Sequence, residues 1–225
     1  MALAGDPAIG AALAGLGGCA ACHTADGGPP WAGGHAVETP RGTFYGSNLT
    51  PDPEHGLGAW GFDDFRRAMR EGRAPDGHAY WPAFPYTSFT NLTDEDLGHL
   101  WAFLQTLEPV ARPDQPHEGI PPRWQLQVFR WRAFHEGPEP LDRGAYLGTA
   151  VGHCRECHSP RTWIGRIRTR HELEGGHAPF TVAPAIDPEA LAGWSADDLD
   201  TLFTLGMSPD GDFPGGGMSR IVDEG

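Results

Sequence analysis

Lysine is absent from this 225-residue chain: all 16 basic residues are arginine, set against 30 aspartates and glutamates. The formal charge of −14 argues against nucleic acid as a partner and favours steering towards a basic one, although acidity of this size also keeps a protein in solution. Long apolar runs are lacking too, so no segment reads as membrane-spanning. The start, Met1-Ala2-Leu3-Ala4-Gly5-Asp6-Pro7, lacks the basic region and apolar stretch of a secretory leader. Hydrophobic residues amount to 39%, a thin supply for a core unless something else apolar is built in. Glycine (32) and proline (22) are plentiful instead and predict long ordered loops around short helices.

Cysteine is scarce, and its placement is informative. All four cysteines fall in two copies of one pentapeptide, Cys19-Ala20-Ala21-Cys22-His23 and Cys154-Arg155-Glu156-Cys157-His158. Cys-x-x-Cys-His is the attachment signature of c-type haem, in which two thiols add across vinyl groups and the adjacent histidine takes the iron. At i and i+3 the sulfurs share one face of a helical turn, and the next residue aims its imidazole at the metal. Zinc sites and thioredoxin-like pairs also use Cys-x-x-Cys, and zinc is the main competing reading. Two complete motifs predict two covalently bound haem c groups, held by Cys19, Cys22, Cys154 and Cys157, with His23 and His158 as iron ligands. Haem would also supply the missing apolar core. Bacteria attach such haem outside the cytoplasm, so the periplasm is the expected location, with an export signal upstream of this chain.

The chain repeats itself. With Trp60 set against Trp194, an ungapped stretch brings Asp63-Asp64 onto Asp197-Asp198, Gly72 onto Gly206, and Pro75-Asp76-Gly77 onto Pro209-Asp210-Gly211. Each half reads as haem motif, loop, short amphipathic helix, Pro-Asp-Gly turn and ligand loop. Ser195 can N-cap a helix with Asp198 at the capping-box position and Leu199, Leu202 and Phe203 inward; Phe62, Phe65 and Met69 form the matching stripe. Thr93 starts a further helix with Leu97, Leu100, Trp101, Leu104 and Leu107 at helical spacing.

These features predict an all-α fold of two tandem class I cytochrome c domains with long ordered loops. Domain 1 covers 1–110 and domain 2 covers 142–225, joined by a linker, 111–141, that contains a short helix with Trp124, Val128 and Trp131 on one side. The Thr93 helix is expected to cross the N-terminal one, and its counterpart in domain 2 would lie past Gly225, so domain 2 is expected to lack its closing helix.

Each iron needs a sixth ligand. Met218, in a loop with Gly215, Gly216 and Gly217, is the candidate for the second haem. A thioether opposite an imidazole raises the haem potential. The repeat places Phe84 opposite Met218, and phenylalanine cannot bind iron. Met69 on the inward stripe is the candidate for the first haem, with His78 second and an open iron third; ordinary core packing would also account for Met69. The remaining histidines are scattered, and His153 is expected to hydrogen-bond near a haem. The sequons at Asn48 and Asn91 carry little weight in a bacterial chain, and Arg41, Arg161 and Arg166 are candidates to pair with haem propionates.

The run Thr39 to Asp52, together with Ala68-Met69-Arg70-Glu71-Gly72, Pro82-Ala83-Phe84-Pro85-Tyr86, Gly144-Ala145-Tyr146-Leu147 and Gly152-His153-Cys154 through Pro160-Arg161, resembles the cytochrome c subunits of membrane-associated alcohol, aldehyde and gluconate dehydrogenases. The resemblance covers essentially the whole chain. It implies an electron-transfer subunit at the outer face of the inner membrane, held there through its partners. Electrons would pass from a dehydrogenase catalytic subunit to quinone, a terminal oxidase or a soluble cytochrome. Many relatives carry a third haem domain. The alternative is a dihaem enzyme of peroxidase or thiosulfate-oxidising type with an open or unusually ligated first haem. A haem-based sensor is a third class, for which no signalling segment is seen.

Overall fold

The computed structural model of the chain describes residues 5–39, 41–122, 141–163, 165–178 and 181–224. They fall into two compact units, Met1–His153 and Cys154–Gly225. Helices predominate, as expected, but the fold is not purely helical: each unit also contains a two-stranded antiparallel hairpin. Among the described residues no helix is long and apolar enough to cross a membrane.

In the first unit, α1 (Pro7–Leu16) starts with proline at its first position and Asp6 as cap, whose carboxylate accepts from the Ala8 N–H at 2.8 Å. The first pentapeptide forms α2 (Cys19–His23). Strands β1 (Ala36–Thr39) and β2 (Gly42–Tyr45) pair with Val37 opposite Phe44, and Phe44 is buried in a small cluster with Ala79 and Trp81. Then come α3 (Phe62–Glu71), the single turn α4 (Tyr86–Phe89) and α5 (Asp94–Leu104). Thr93 caps α5 as its sequence position implies, accepting from the Asp96 N–H at 3.0 Å. The 3.6-residue period then turns Leu97, Leu100 and Leu104 inward, onto Phe65 and Met69 of α3 and Leu13 and Ala14 of α1.

The α1–α5 crossing depends on an absent side chain. A Cβ on Gly10 would lie 2.0 Å from the carbonyl oxygen of His99 and 2.7 Å from the Phe103 Cβ, so only glycine lets the two backbones approach this closely.

Helix α6 (Arg143–Ala145) runs on into a π-helical stretch, Tyr146–Val151. The sequence places these residues at the start of domain 2, whereas here Ala150 and Val151 are buried in the core of the first unit. The Tyr146 hydroxyl donates to the Asp96 carboxylate of α5. The linker face carrying Trp124, Val128 and Trp131 lies outside the described residues.

The second unit holds α7 (Arg155–His158), a 3-10 turn (Thr169–His171), the hairpin β3 (Gly176–Ala178) with β4 (Thr181–Ala183), α8 (Ala196–Leu205) and α9 (Gly217–Glu224). The internal repeat reappears as geometry. Gly72 and Gly206 end α3 and α8 in the left-handed region at φ 58° and 66°. Gly77 and Gly211 close matching turns at φ 84° and 83°. Ser195 and Asp198 form the expected capping box: the Ser195 N–H donates to the carboxylate at 2.8 Å, and the Asp198 N–H donates back to the hydroxyl at 3.2 Å.

The expected inward face of α8 is not buried. Leu199 and Phe203 are 37% and 47% exposed, and among the described residues of this unit Ala183 is the one buried hydrophobic side chain. In the register of the repeat α9 corresponds to α4, so it is not a counterpart of α5.

Gly10→Ala separates packing from helix propensity. Propensity alone predicts stabilisation by about 1 kcal/mol. The crossing predicts destabilisation by about 1–3 kcal/mol, read as a lower urea midpoint at unchanged m-value.

Candidate haem-binding sites

Each pentapeptide folds into a short helix, and its histidine's partner lies past the hairpin that follows. In the first site, the His23 Nδ1–H donates to the main-chain carbonyl of Ser47 at 2.7 Å. In the second, the His158 Nδ1–H donates to the carbonyl of Pro184 at 2.8 Å. Ser47 lies just past β2 and Pro184 just past β4, so each hairpin delivers one acceptor. The carbonyl of the motif histidine is held as well: Gly33 N–H donates to His23 O at 2.8 Å and Gly175 N–H to His158 O at 2.9 Å.

This geometry fixes the tautomer. An imidazole whose Nδ1 carries the bonded proton has its lone pair on Nε2, the form in which histidine binds a metal. At His23, burial pushes the pKa below the usual value, with the Ser47 carbonyl partly offsetting it, so the ring is neutral and ready to ligate.

Burial governs the motif thiols. Burial, with the neighbouring Cys22 second, pushes the Cys19 thiol up to about 12, and burial also raises Cys154 and Cys157. A structural zinc site gathers four cysteine or histidine ligands. Among the described residues no group of three histidine, cysteine, aspartate or glutamate side chains converges as a metal-binding set. Two thiols at i and i+3, followed by an imidazole with Nδ1 tied down, fit a covalently bound haem by the chemistry of their donors.

The sixth-ligand candidates differ in setting. Met69 is 8% exposed and belongs to the main apolar cluster, against which Cys19, Trp31 and Phe84 pack. Cys19 and Met69 thus border one apolar region. Phe84 also stacks among aromatic rings, with Tyr80, Tyr86 and Phe89 at centroid distances of 5.8, 6.4 and 5.6 Å. His78 lies on a surface turn, its Nδ1 against the Asp76 carboxylate at 2.5 Å and its ring edge-on to Tyr80. Met218 is half-buried on the first turn of α9, and a Cβ on Gly215 or Gly217 would meet nothing within 4 Å.

Two of the side chains singled out around the motifs have defined hydrogen bonds. His153 does hydrogen-bond beside a motif, through Nε2 to the Gly17 carbonyl at 3.1 Å. Arg161 is committed within its own loop, donating to the Gly165 and Glu156 carbonyls at 2.8 and 2.7 Å and to the Glu156 carboxylate at 2.5 Å. Ser47 and Pro184 are the functional residues the sequence did not reveal, because they act through main-chain carbonyls that any residue type carries.

The loop after β2 runs hard against the first motif: a Cβ on Gly46 would fall 1.8 Å from the Cys22 carbonyl oxygen. Gly46→Ala must therefore displace either Cys22 or the Ser47 carbonyl. Covalently bound haem per chain is expected to fall towards that of a Cys19→Ser/Cys22→Ser double variant, read from haem-stained gels normalised to protein.

A family model described as cytochrome c matches residues 7–108. The chain is 36% identical, over 98% of its length, to a diheme cytochrome c-type protein of Cereibacter sphaeroides, of which it covers 80%. It is 38% identical, over 95% of its length, to the cytochrome c subunit of the quinone-type alcohol dehydrogenase of Gluconacetobacter polyoxogenes, covering 50% of that protein. To a nicotinate dehydrogenase subunit of Pseudomonas putida it is 38% identical over 94% of its length, and there it covers 19%. The chain therefore spans half or less of these two dehydrogenase subunits. Similarity along nearly the whole chain to a dihaem protein of comparable length, with the attachment chemistry described above, makes this chain a member of the cytochrome c family that carries covalently bound haem c.

Proposed function

We propose that this chain is a periplasmic two-haem electron carrier that accepts electrons from a dehydrogenase catalytic subunit and passes them towards quinone, a terminal oxidase or a soluble cytochrome. The observation that carries this reading is the duplicated proximal arrangement, with His23 on Ser47 O and His158 on Pro184 O, each immediately after a Cys-x-x-Cys pair. Duplication of one ligand geometry supports two centres of one kind in two class I-type domains. When bound, haem supplies one-electron exchange between ferrous and ferric iron.

The protein's own residues then have four tasks. Cys19, Cys22, Cys154 and Cys157 fix the two groups covalently. His23 and His158 present Nε2 with the ring orientation held from behind. Met69 and Met218 are assigned as the thioether ligands, which raise the potential and suit an acceptor of substrate-derived electrons. The apolar cluster around Met69 excludes water from the first site and further favours the lower-charged ferrous state.

The company of the relatives supports the partner. Alcohol, gluconate and fructose dehydrogenase cytochrome subunits all match over most of this chain, which points to a dehydrogenase as the electron source. A net charge of −14 suits a basic docking face on that partner.

The reading predicts two haems per wild-type chain and one in a Cys154→Ser/Cys157→Ser variant, counted by pyridine haemochrome absorbance against protein. Reduced wild-type protein is expected not to bind carbon monoxide or turn over peroxide. Rapid carbon monoxide binding at one haem would shift the assignment to a dihaem enzyme with an open first iron.

A further inference from the structure

The segment Asn48-Leu49-Thr50 reads as a glycosylation sequon, yet the structure gives it a different task. Asn48 is 2% exposed and Thr50 1%. Every hydrogen-bonding position of the Asn48 amide is used. Its Nδ2 donates to the carbonyls of Val110 and Arg112 at 2.8 and 3.1 Å, and its Oδ1 accepts from the Thr50 N–H and hydroxyl at 2.9 and 2.7 Å. Thr50 Oγ1 accepts from the Val110 N–H at 3.1 Å, and the Asn48 N–H donates to the Asp114 carboxylate at 2.8 Å. Six hydrogen bonds thus tie residues 48–50 together and to residues 110–114, a strap that follows α5.

The peptide plane joining Ser47 to Asn48 is what makes this more than a packing detail. Its carbonyl oxygen accepts from His23 Nδ1 on one side, and its N–H donates to Asp114 on the other. One rigid plane therefore has a proposed iron ligand at one end and the strap at the other. A strong Nδ1–H···O bond gives the imidazole imidazolate character, which favours ferric iron and lowers the potential; loosening it raises the potential.

We propose that Asn48, Thr50 and Asp114 are positioning residues: they hold the Ser47 carbonyl against His23, and through them the Val110–Asp114 strap sets the potential of the first haem. The inference rests on the haem assignment made above and goes beyond it by naming residues without a bond to iron. What the plane requires at position 114 is an acceptor, which a carboxamide oxygen supplies as well as a carboxylate.

The test uses full-length holoprotein, with haem count, the midpoint potential of each haem by spectroelectrochemical titration, and ferric EPR g-values. Asp114→Ala is expected to raise the potential of one haem and shift its g-values while the other haem stays put. Asp114→Asn, which keeps an acceptor for the Asn48 N–H, is expected to return both readouts towards wild type. Should Asp114→Ala fail to take up haem, Thr50→Val, which removes the hydroxyl at near-constant shape, is expected to give the same one-haem shift. A lowered melting temperature with both potentials and both sets of g-values unchanged would overturn the positioning role, as would equal shifts at both haems. A wild-type haem count below two would instead overturn the underlying site assignment.

Discussion

The proton on Nδ1 of each motif histidine is held by a hydrogen bond, which orients the ring and leaves the Nε2 lone pair free for a metal, and the same bond recurs in both halves of this chain. The acceptor in each case is a main-chain carbonyl just past a short hairpin, Ser47 after β2 and Pro184 after β4. Main-chain carbonyls suit this role because the backbone of a tied loop cannot change rotamer. In the proposed assembly the Cys-x-x-Cys pairs fix where haem is attached, and the carbonyls just past the hairpins fix the orientation of each imidazole.

The rest of the first unit keeps that loop in place. The Gly10 crossing brings α1 onto α5, and the α5 leucines with Phe65 and Met69 form an apolar body against which Cys19 packs. Past α5, the strap at Val110–Asp114 closes back on the loop through Asn48 and Thr50. The second unit has the same ligand geometry but buries far less of its own apolar surface, Ala183 among the described residues. In the proposed assembly haem supplies the core there, consistent with a chain that has few hydrophobic residues and many loops.

Several parts were legible in advance because they depend on residue type. The helix starts at Thr93 and Ser195 sit where α5 and α8 begin, and the leucine stripe of α5 faces inward as its period requires. The repeat of Gly72 and Gly77 with Gly206 and Gly211 was legible for the same reason, since those positions have positive φ. The hairpins were not, because strands of three or four residues carry too little alternation to register. The Ser47 and Pro184 carbonyls have no side-chain signature at all. Asn48 had a misleading one, because a sequon describes an exposed acceptor and says nothing about a buried amide. The inward face expected of α8 failed because periodicity reports amphipathicity without naming what covers it.

Near-infrared magnetic circular dichroism of the fully oxidised protein tests the central claim most directly, because it resolves the axial ligands of each low-spin haem. Two thioether-to-iron charge-transfer bands and no high-spin signal are expected if Met69 and Met218 each complete an iron held by His23 or His158. One such band beside a bis-histidine or high-spin signal would contradict it, removing Met69 from the first haem and with it the case for a simple pair of electron-transfer centres.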